Sequence, residues 1–305
     1  MAPIIKIAII QFMPKPLDLG HNFGLSTNYI RQAASLGAQI AVLPEYHLTS
    51  WCPDEKGFIE GCRESMGYLD KYRELASSLG INIVPGTICE VHPSGESGGD
   101  TKDVEIRNMT YFISGDGDGG IGEIVGRYQK KNLWHPERPH LTAGDVSSKH
   151  EGFEVEESLP KWEEDGKSIR VGLLICWDII FPECFRELIM SESGVDIIII
   201  PAFWLLNEDF GEVEEGRIKR AQEKERKMLE GLVWTRAYEN CCTVCFVNAC
   251  GGSMVAGAGV FESEPMGVGQ EEEGCKIVEV DLEEDRRLEG RYKIREDLRK
   301  MRRGK

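Results

Sequence analysis

Short apolar runs rich in β-branched residues alternate with amphipathic stretches along most of this chain. "IKIAIIQF" (5–12) predicts a buried strand, and the helical "NYIRQAASLG" closes at Gly37, a residue type that readily ends helices. "AQIAVLPE" (38–45) predicts a second strand ending at Glu45, and a helix is expected over 57–78, stopping near Gly80. "INIVPGTICEV" and "NMTYFIS" predict neighbouring strands divided by the polar, Gly-rich "HPSGESGGD". "GEIVGRYQKKNL" has strand character that fades into the loop "WHPERPH", and an acidic stretch over 145–168 predicts exposed loop. "SIRVGLLIC" is a predicted strand, followed by a helix in "FPECFRELIM" with Pro182 in its first turn. "VDIIIIPAFW" repeats the theme of an apolar run ending in a loop. A charged helix is then expected over 216–239, with strands in "CCTVCFVNAC", "SMVAGAGVFES" and "CKIVEVDL" before a short basic tail.

Strands that alternate with helices and then succeed one another directly indicate an α/β protein with a mixed sheet, or two sheets layered with helices. No repeat of solenoid length and no linker-like composition divides residues 1–305, so a single domain is expected. Net charge is −16, from 52 acids against 36 bases, which argues against a nucleic-acid or anionic-membrane partner. No apolar run reaches the roughly 18 residues of a membrane span. "IIKIAII" lacks the basic flank and cleavage site of a signal peptide. Ten cysteines diluted through such a chain then read as reduced thiols of a cytoplasmic protein, and the sequon Asn108-Met109-Thr110 carries no glycosylation expectation.

Three residues that end or leave apolar runs can carry chemistry together: Glu45 after "AVLP", Lys130 in "GRYQKKNL", and Cys176 after "VGLLI". A cysteine nucleophile needs thiolate character, which a nearby cation promotes and a general base completes. A lysine ammonium and the backbone N–H of Trp177 can hold the negative charge that attack on a carbonyl or nitrile carbon develops. A buried carboxylate can shuttle the protons.

In these motifs the chain resembles the nitrilase superfamily, the carbon–nitrogen hydrolases. The resemblance lies in Leu43-Pro44-Glu45, in Tyr128-Gln129-Lys130-Lys131-Asn132-Leu133, and in Cys176-Trp177-Asp178-Ile179-Ile180-Phe181-Pro182-Glu183, with "IKIAIIQF", "VDIIIIPAFW", "RAYEN" and the "DL" of 281–282 around them. It implies a four-layer α-β-β-α sandwich, a Glu45–Lys130–Cys176 triad, no metal or organic cofactor, and a homodimer or larger homo-oligomer. It also offers Glu137 of "HPERP" as a second site glutamate. The family often has His where Asn132 stands. True nitrilases commonly carry Glu two residues after the cysteine, so Asp178 tilts the expected substrate toward an amide.

Each residue also has a plainer reading. Alone, Cys176 is an inert core thiol, Glu45 a loop carboxylate and Lys130 a surface charge. Taken jointly, the three fill distinct required roles. Lys131, the rival for the lysine role, should face away from Lys130 by strand alternation. Glu137 can equally pair with Arg138, and Glu239 of "RAYEN" reads as structural. Phe203 and Trp204 line a pocket or pack a core. Cys242 and Cys245 have CxxC spacing, but alternation points them to opposite faces and no second ligand pair follows, so no metal is expected. Loops 47–61, 134–144 and 203–216 are the expected pocket walls. Hydrolysis of an amide is the primary reading; an N-carbamoyl group or a nitrile, acyl transfer to an amine, and a non-catalytic interaction protein keeping the fold stand as alternatives.

Overall fold

The computed structural model describes residues 4–94, 104–116, 120–156, 158–162, 166–191, 194–206, 215–259, 264–267 and 273–303, the side chains of 215–222, 302 and 303 excepted. Most of the acidic "LNEDFGEVEEG" and parts of "HPSGESGGD", "GVFES" and "QEEEG" lie outside that range. The first half of the chain holds β1 (Ile4–Gln11), α1 (Leu19–Ser35), β2 (Ile40–Val42), α2 (Phe58–Met66), α3 (Tyr68–Leu79), β3 (Asn82–Val84), β4 (Ile88–Pro93), β5 (Val104–Ile113) and β6 (Ile124–Gln129). The second half holds β7 (Phe153–Val155), β8 (Ile169–Leu173), α4 (Pro182–Ile189), β9 (Ile197–Ala202), α5 (Glu215–Asn240), β10 (Thr243–Asn248), β11 (Met254–Ala256), β12 (Gly274–Asp281), α6 (Leu282–Tyr292) and α7 (Ile294–Arg303).

Two sheets result. One runs β12-β1-β2-β3-β5-β4 with β6 beside β5, and the other runs β11-β10-β9-β8-β7. The long apolar run of β1 is explained by burial on both faces. Ile5, Ile7 and Ile9 enter the core between the sheets, whereas Ala8 and Ile10 pack outward with residues of α1 and α3. On the far side, β10 and β11 pack under α5, which in turn packs on α4. The order is therefore helix, sheet, sheet, helix, the expected α-β-β-α sandwich.

Several boundaries differ from the sequence reading, each for a local reason. The expected helix over 57–78 is two helices, broken at Gly67. "INIVPGTICEV" is two strands, because Pro85 and Gly86 (φ +55) turn the chain between β3 and β4. The strands expected to end at Glu45 and Cys176 stop at Val42 and Leu173, so both residues stand in turns just beyond their strands. The acidic stretch before β8 contains β7 and buries Leu159 and Trp162. The "DL" of 281–282 opens α6, with Asp281 capping it, and the basic tail continues as helix through α7. No described helix is long and apolar enough to cross a membrane.

Candidate active site

Residues Glu45, Lys130 and Cys176 meet at one cavity of about 330 Å³, at the end of the two sheets where β2, β6 and β8 run out. Both chain turns that deliver the site are held in the left-handed region: Cys176 has φ +42 and Tyr46, next to Glu45, has φ +52. Such backbone costs on the order of 1–3 kcal/mol per residue and persists only where surroundings impose it.

The surroundings are visible for both turns. Cys176 opens a 3₁₀ turn (Cys176–Ile180) whose third residue, Asp178, is fully buried. Its Oδ2 accepts from Ile175 N and Tyr128 OH, both at 3.0 Å, and its Oδ1 accepts from Asn132 N (3.1 Å) and Asn132 Nδ2 (2.8 Å). Asp178 thus ties the cysteine turn to the segment carrying Lys130. At the other end of the turn, Arg236 donates to the carbonyls of Ile179 (2.9 Å) and Ile180 (3.1 Å). Glu239 pairs with Arg236 at 2.8 Å and with Arg186 at 3.5 Å, the structural role expected of it.

On the glutamate side, Tyr46 N donates to Thr87 Oγ1 at 3.0 Å, and Gly86 lets the Pro44 carbonyl pass closely: a Cβ there would stand 1.8 Å from that oxygen. Glu45 joins the two sheets. Its N–H donates to Ala202 O at 3.2 Å, and its Oε2 accepts from Phe203 N at 3.0 Å.

The polar centre is buried. Lys130 and Glu45 are each 1% exposed, Glu137 2% and Cys176 7%. Lys130 Nζ donates to Glu45 Oε1 at 2.8 Å and to Glu137 Oε1 at 2.7 Å. Glu45 Oε1 also accepts from Asn108 Nδ2 at 2.8 Å, and the Cys176 thiol shares the cavity with the Glu45 carboxylate. Glu137 accepts further from Tyr46 OH and, at 2.7 Å, from Trp134 N. Lys131 points elsewhere, to Glu187 Oε2 at 2.9 Å and Ser148 O at 2.7 Å; the direction is as expected, although both lysines lie just beyond β6 and strand alternation is not its cause.

Burial raises Glu45 to about 7, with the negative charge of Glu137 adding to it and the Lys130 ammonium opposing it. Burial alone would lower Lys130, but Glu45, Cys176 and Glu137 together hold it above its ordinary range, so it stays an ammonium. Burial also pushes the Cys176 thiol well above its ordinary range; Glu45 adds to this and Lys130 offsets only part. The cation promotes thiolate character only in part, which leaves proton removal to a general base. Burial first, and then the carboxylates, outweigh the ammonium, and the sulfur is held as a thiol beside the Glu45 carboxylate. Such a pair can transfer its proton as the sulfur attacks.

The cavity wall is largely aromatic: Tyr46, Trp51, Trp134, Trp177, Phe203 and Trp204 line it, together with Ile180, Leu205, Glu225 and Met228. Phe203 and Trp204 therefore belong to the pocket, and Phe203 also serves Glu45 through its main chain. The Trp177 ring faces the cavity and meets the Trp204 ring at 5.2 Å, while its N–H lies in the first turn of the 3₁₀ segment, where helical geometry provides no acceptor. Asp178 does not line the cavity, so the tilt read from it toward amide substrates has no contact behind it; its place is structural. Asn108 and Tyr46 escaped sequence reasoning, since nothing in "IRNMTYFI" marks one polar residue on a strand as aimed at a site. Glu225 and Met228 escaped because α5 reads as a uniformly charged surface helix.

Cys245 lies within β10, but Cys242 precedes that strand, so alternation does not relate them; both are buried in the core. Among the described residues no cluster of His, Cys, Asp and Glu is arranged to hold a metal.

The carbon–nitrogen hydrolase family pattern matches residues 6–288. A nitrilase of Pyrococcus abyssi is 28% identical over 202 residues, covering 65% of this chain and 65% of its own length, a little under two thirds. The 2-oxoglutaramate amidase of Bacillus subtilis is 26% identical over 279 residues, 86% of each chain. Among solved structures, an amidase from a Nesterenkonia species superposes with a TM-score of 0.67 at 21% identity, covering 95% of this chain and 97% of that one. A variant of the Nesterenkonia sp. AN1 amidase (TM-score 0.64, 21% identity, 93% of both chains) carries the acetamide moiety of fluoroacetamide covalently at its active-site cysteine.

Proposed function

Since the chain belongs to the carbon–nitrogen hydrolase family, we propose that it hydrolyses a small-molecule amide through Cys176, with Glu45 as proton shuttle and Lys130 as the cation facing the developing oxyanion. The observation that carries this reading is the Lys130 ammonium held between Glu45 and Glu137 in the same cavity as the Cys176 thiol.

The Cys176 sulfur forms a bond to the amide carbon while its proton passes to Glu45, and the carbonyl π pair moves onto oxygen. Lys130 and the Trp177 N–H stabilise that oxygen. On collapse the C–N bond breaks, Glu45 returns the proton to nitrogen, ammonia leaves, and a thioester remains. Water then attacks the thioester, giving its proton to Glu45. The second collapse expels sulfur, which recovers its proton, and releases the acid. In this scheme Glu137 positions Lys130 and keeps Glu45 basic. Neither step requires a metal or organic cofactor. Amidase-named relatives support an amide over a nitrile or carbamoyl group. A cytoplasmic homodimer or larger homo-oligomer is part of the same reading.

Ammonia release from matched aryl and alkyl amides, N-carbamoyl amines and nitriles tests it, wild type beside Cys176→Ala. Ammonia from amides with wild type alone is the expected result. Ammonia only from carbamoyl compounds or nitriles would move the reading to those substrates.

A further inference from the structure

The deep polar groups of the cavity are all committed to the reaction centre, but one wall carries a carboxylate that the reaction does not use. Glu225 lines the cavity from α5, with Met228 three residues on. Its Oε1 accepts from Trp204 Nε1 at 2.8 Å, and Trp204 lies beside Trp177. A carboxylate is therefore fixed at the edge of the Trp204 indole, whose ring meets that of Trp177. No helical neighbour neutralises it: the positions three and four residues away are Ala221, Gln222, Met228 and Leu229. Two nearby glutamates of the same helix are paired in this way, Glu223 with Lys227 at 2.9 Å and Glu230 with Arg226 at 3.7 Å. Among the described residues lining the cavity Lys130 is the one cation, and it already holds two carboxylates. This part of the cavity is thus acidic and aromatic together.

We propose that Glu225 with the indoles of Trp177 and Trp204 forms a subsite for a cationic group, an ammonium or guanidinium, on the acyl portion of the substrate. The inference rests on the amidase reading of the same cavity. A cation there gains a charge-assisted hydrogen bond from the carboxylate and the attraction of the ring faces. An acyl group ending in a carboxylate meets the like charge of Glu225, which is discrimination by repulsion. The substrate class assigned is aminoalkyl or aminomethyl-aryl amides, with monoamides of dicarboxylic acids rejected.

Three amides of one shape separate the possibilities: 4-(aminomethyl)phenylacetamide, 4-ethylphenylacetamide and 4-(carboxymethyl)phenylacetamide. Ammonia release gives kcat/KM for each, and calorimetric binding to Cys176→Ala gives Kd without turnover. The expected ratio of ammonium to neutral substrate is about tenfold or more at low salt, the carboxylate trailing further, with the spread narrowing in 1 M salt as screening shortens to about 3 Å. Glu225→Gln should bring the ammonium-to-neutral ratio to about one, and Glu225→Lys should invert the ammonium-to-carboxylate order. Turnover with no dependence on charge, or a preference that survives Glu225→Gln, would overturn the subsite and leave the amidase reading standing. Charge-ordered binding to Cys176→Ala that Glu225→Gln abolishes, without turnover by wild type, would keep the subsite and overturn the amidase reading. Neither turnover nor charge-ordered binding would overturn both.

Discussion

Substituting Glu137 with Gln removes one negative charge from the polar centre while keeping the side chain's shape, and its consequence for the pH profile follows from geometry. Glu45 and Glu137 each accept from Lys130 Nζ, at 2.8 and 2.7 Å, so the two acceptor oxygens are at most about 5.5 Å apart. Two unit charges about 5 Å apart interact by about 3 kcal/mol at an effective dielectric of roughly 20. That corresponds to about two pKa units, and the ammonium between the carboxylates reduces it to about one or two. Burial raises Glu45 to about 7, and Glu137 contributes to the rise. Glu45 must be ionised to take the thiol proton, so wild-type kcat/KM should fall about tenfold per pH unit below 7. Because the Cys176 thiol is held well above its ordinary range, its ionisation should set no alkaline limb near neutrality. In Glu137→Gln the acidic limb should shift down by about one to two units. The amide also loses the hydrogen bond from Trp134 N, so a lower kcat and a loss of about 1–3 kcal/mol in stability are expected as well. The assay is initial-rate kcat/KM across pH 4–10, with melting curves to define the folded range. A limb that stays near 7 or moves upward in a folded variant would refute the electrostatic reasoning.

Lys130→Met should lower kcat/KM by at least about 10³ and cost about 3–5 kcal/mol at pH 8, measured by denaturant unfolding, since it leaves two buried carboxylates unpaired. A carboxyl whose folded pKa is raised binds more protons in the fold than in the unfolded chain, so this deficit should shrink as pH falls from 8 to 5. Gly86→Ala should displace the Pro44–Glu45 turn, because the new Cβ meets the Pro44 carbonyl at a left-handed position; kcat should fall at least tenfold and Tm should drop. Asp178→Ala should cost about 2–4 kcal/mol by freeing four hydrogen bonds and slow alkylation of Cys176 by iodoacetamide, although Asp178 lies outside the cavity.

Layer order and most elements were legible because apolar runs such as "IKIAIIQF" and "VDIIIIPAFW" are buried on both faces and read as strands without ambiguity. Helix breaks were less legible: Gly67 interrupts α2 and α3 with no change in the apolar period. The meeting of Glu45, Lys130 and Cys176 was legible as three residues leaving apolar runs, although the exact delivery was not. Left-handed turns at Cys176 and Tyr46 carry no residue-type signal, since glycine would be the expected occupant. The charge balance of the centre depended on distances: Glu137 could be named from "HPERP", but whether it met Lys130 or Arg138 required the fold. The cavity wall supplied by α5 was invisible for a similar reason, as Glu225 differs from its charged neighbours only in what it faces.

The central claim is that an acyl group passes through the Cys176 sulfur, and intact-protein mass spectrometry during amide turnover tests it most directly. With wild type, rapid quenching should reveal a transient mass increase equal to the acyl group, mapped by peptide digestion to Cys176, rising and decaying with ammonia release. Cys176→Ala should show neither adduct nor ammonia. Turnover by Cys176→Ala at the wild-type rate, or an adduct that maps to another residue, would contradict the account.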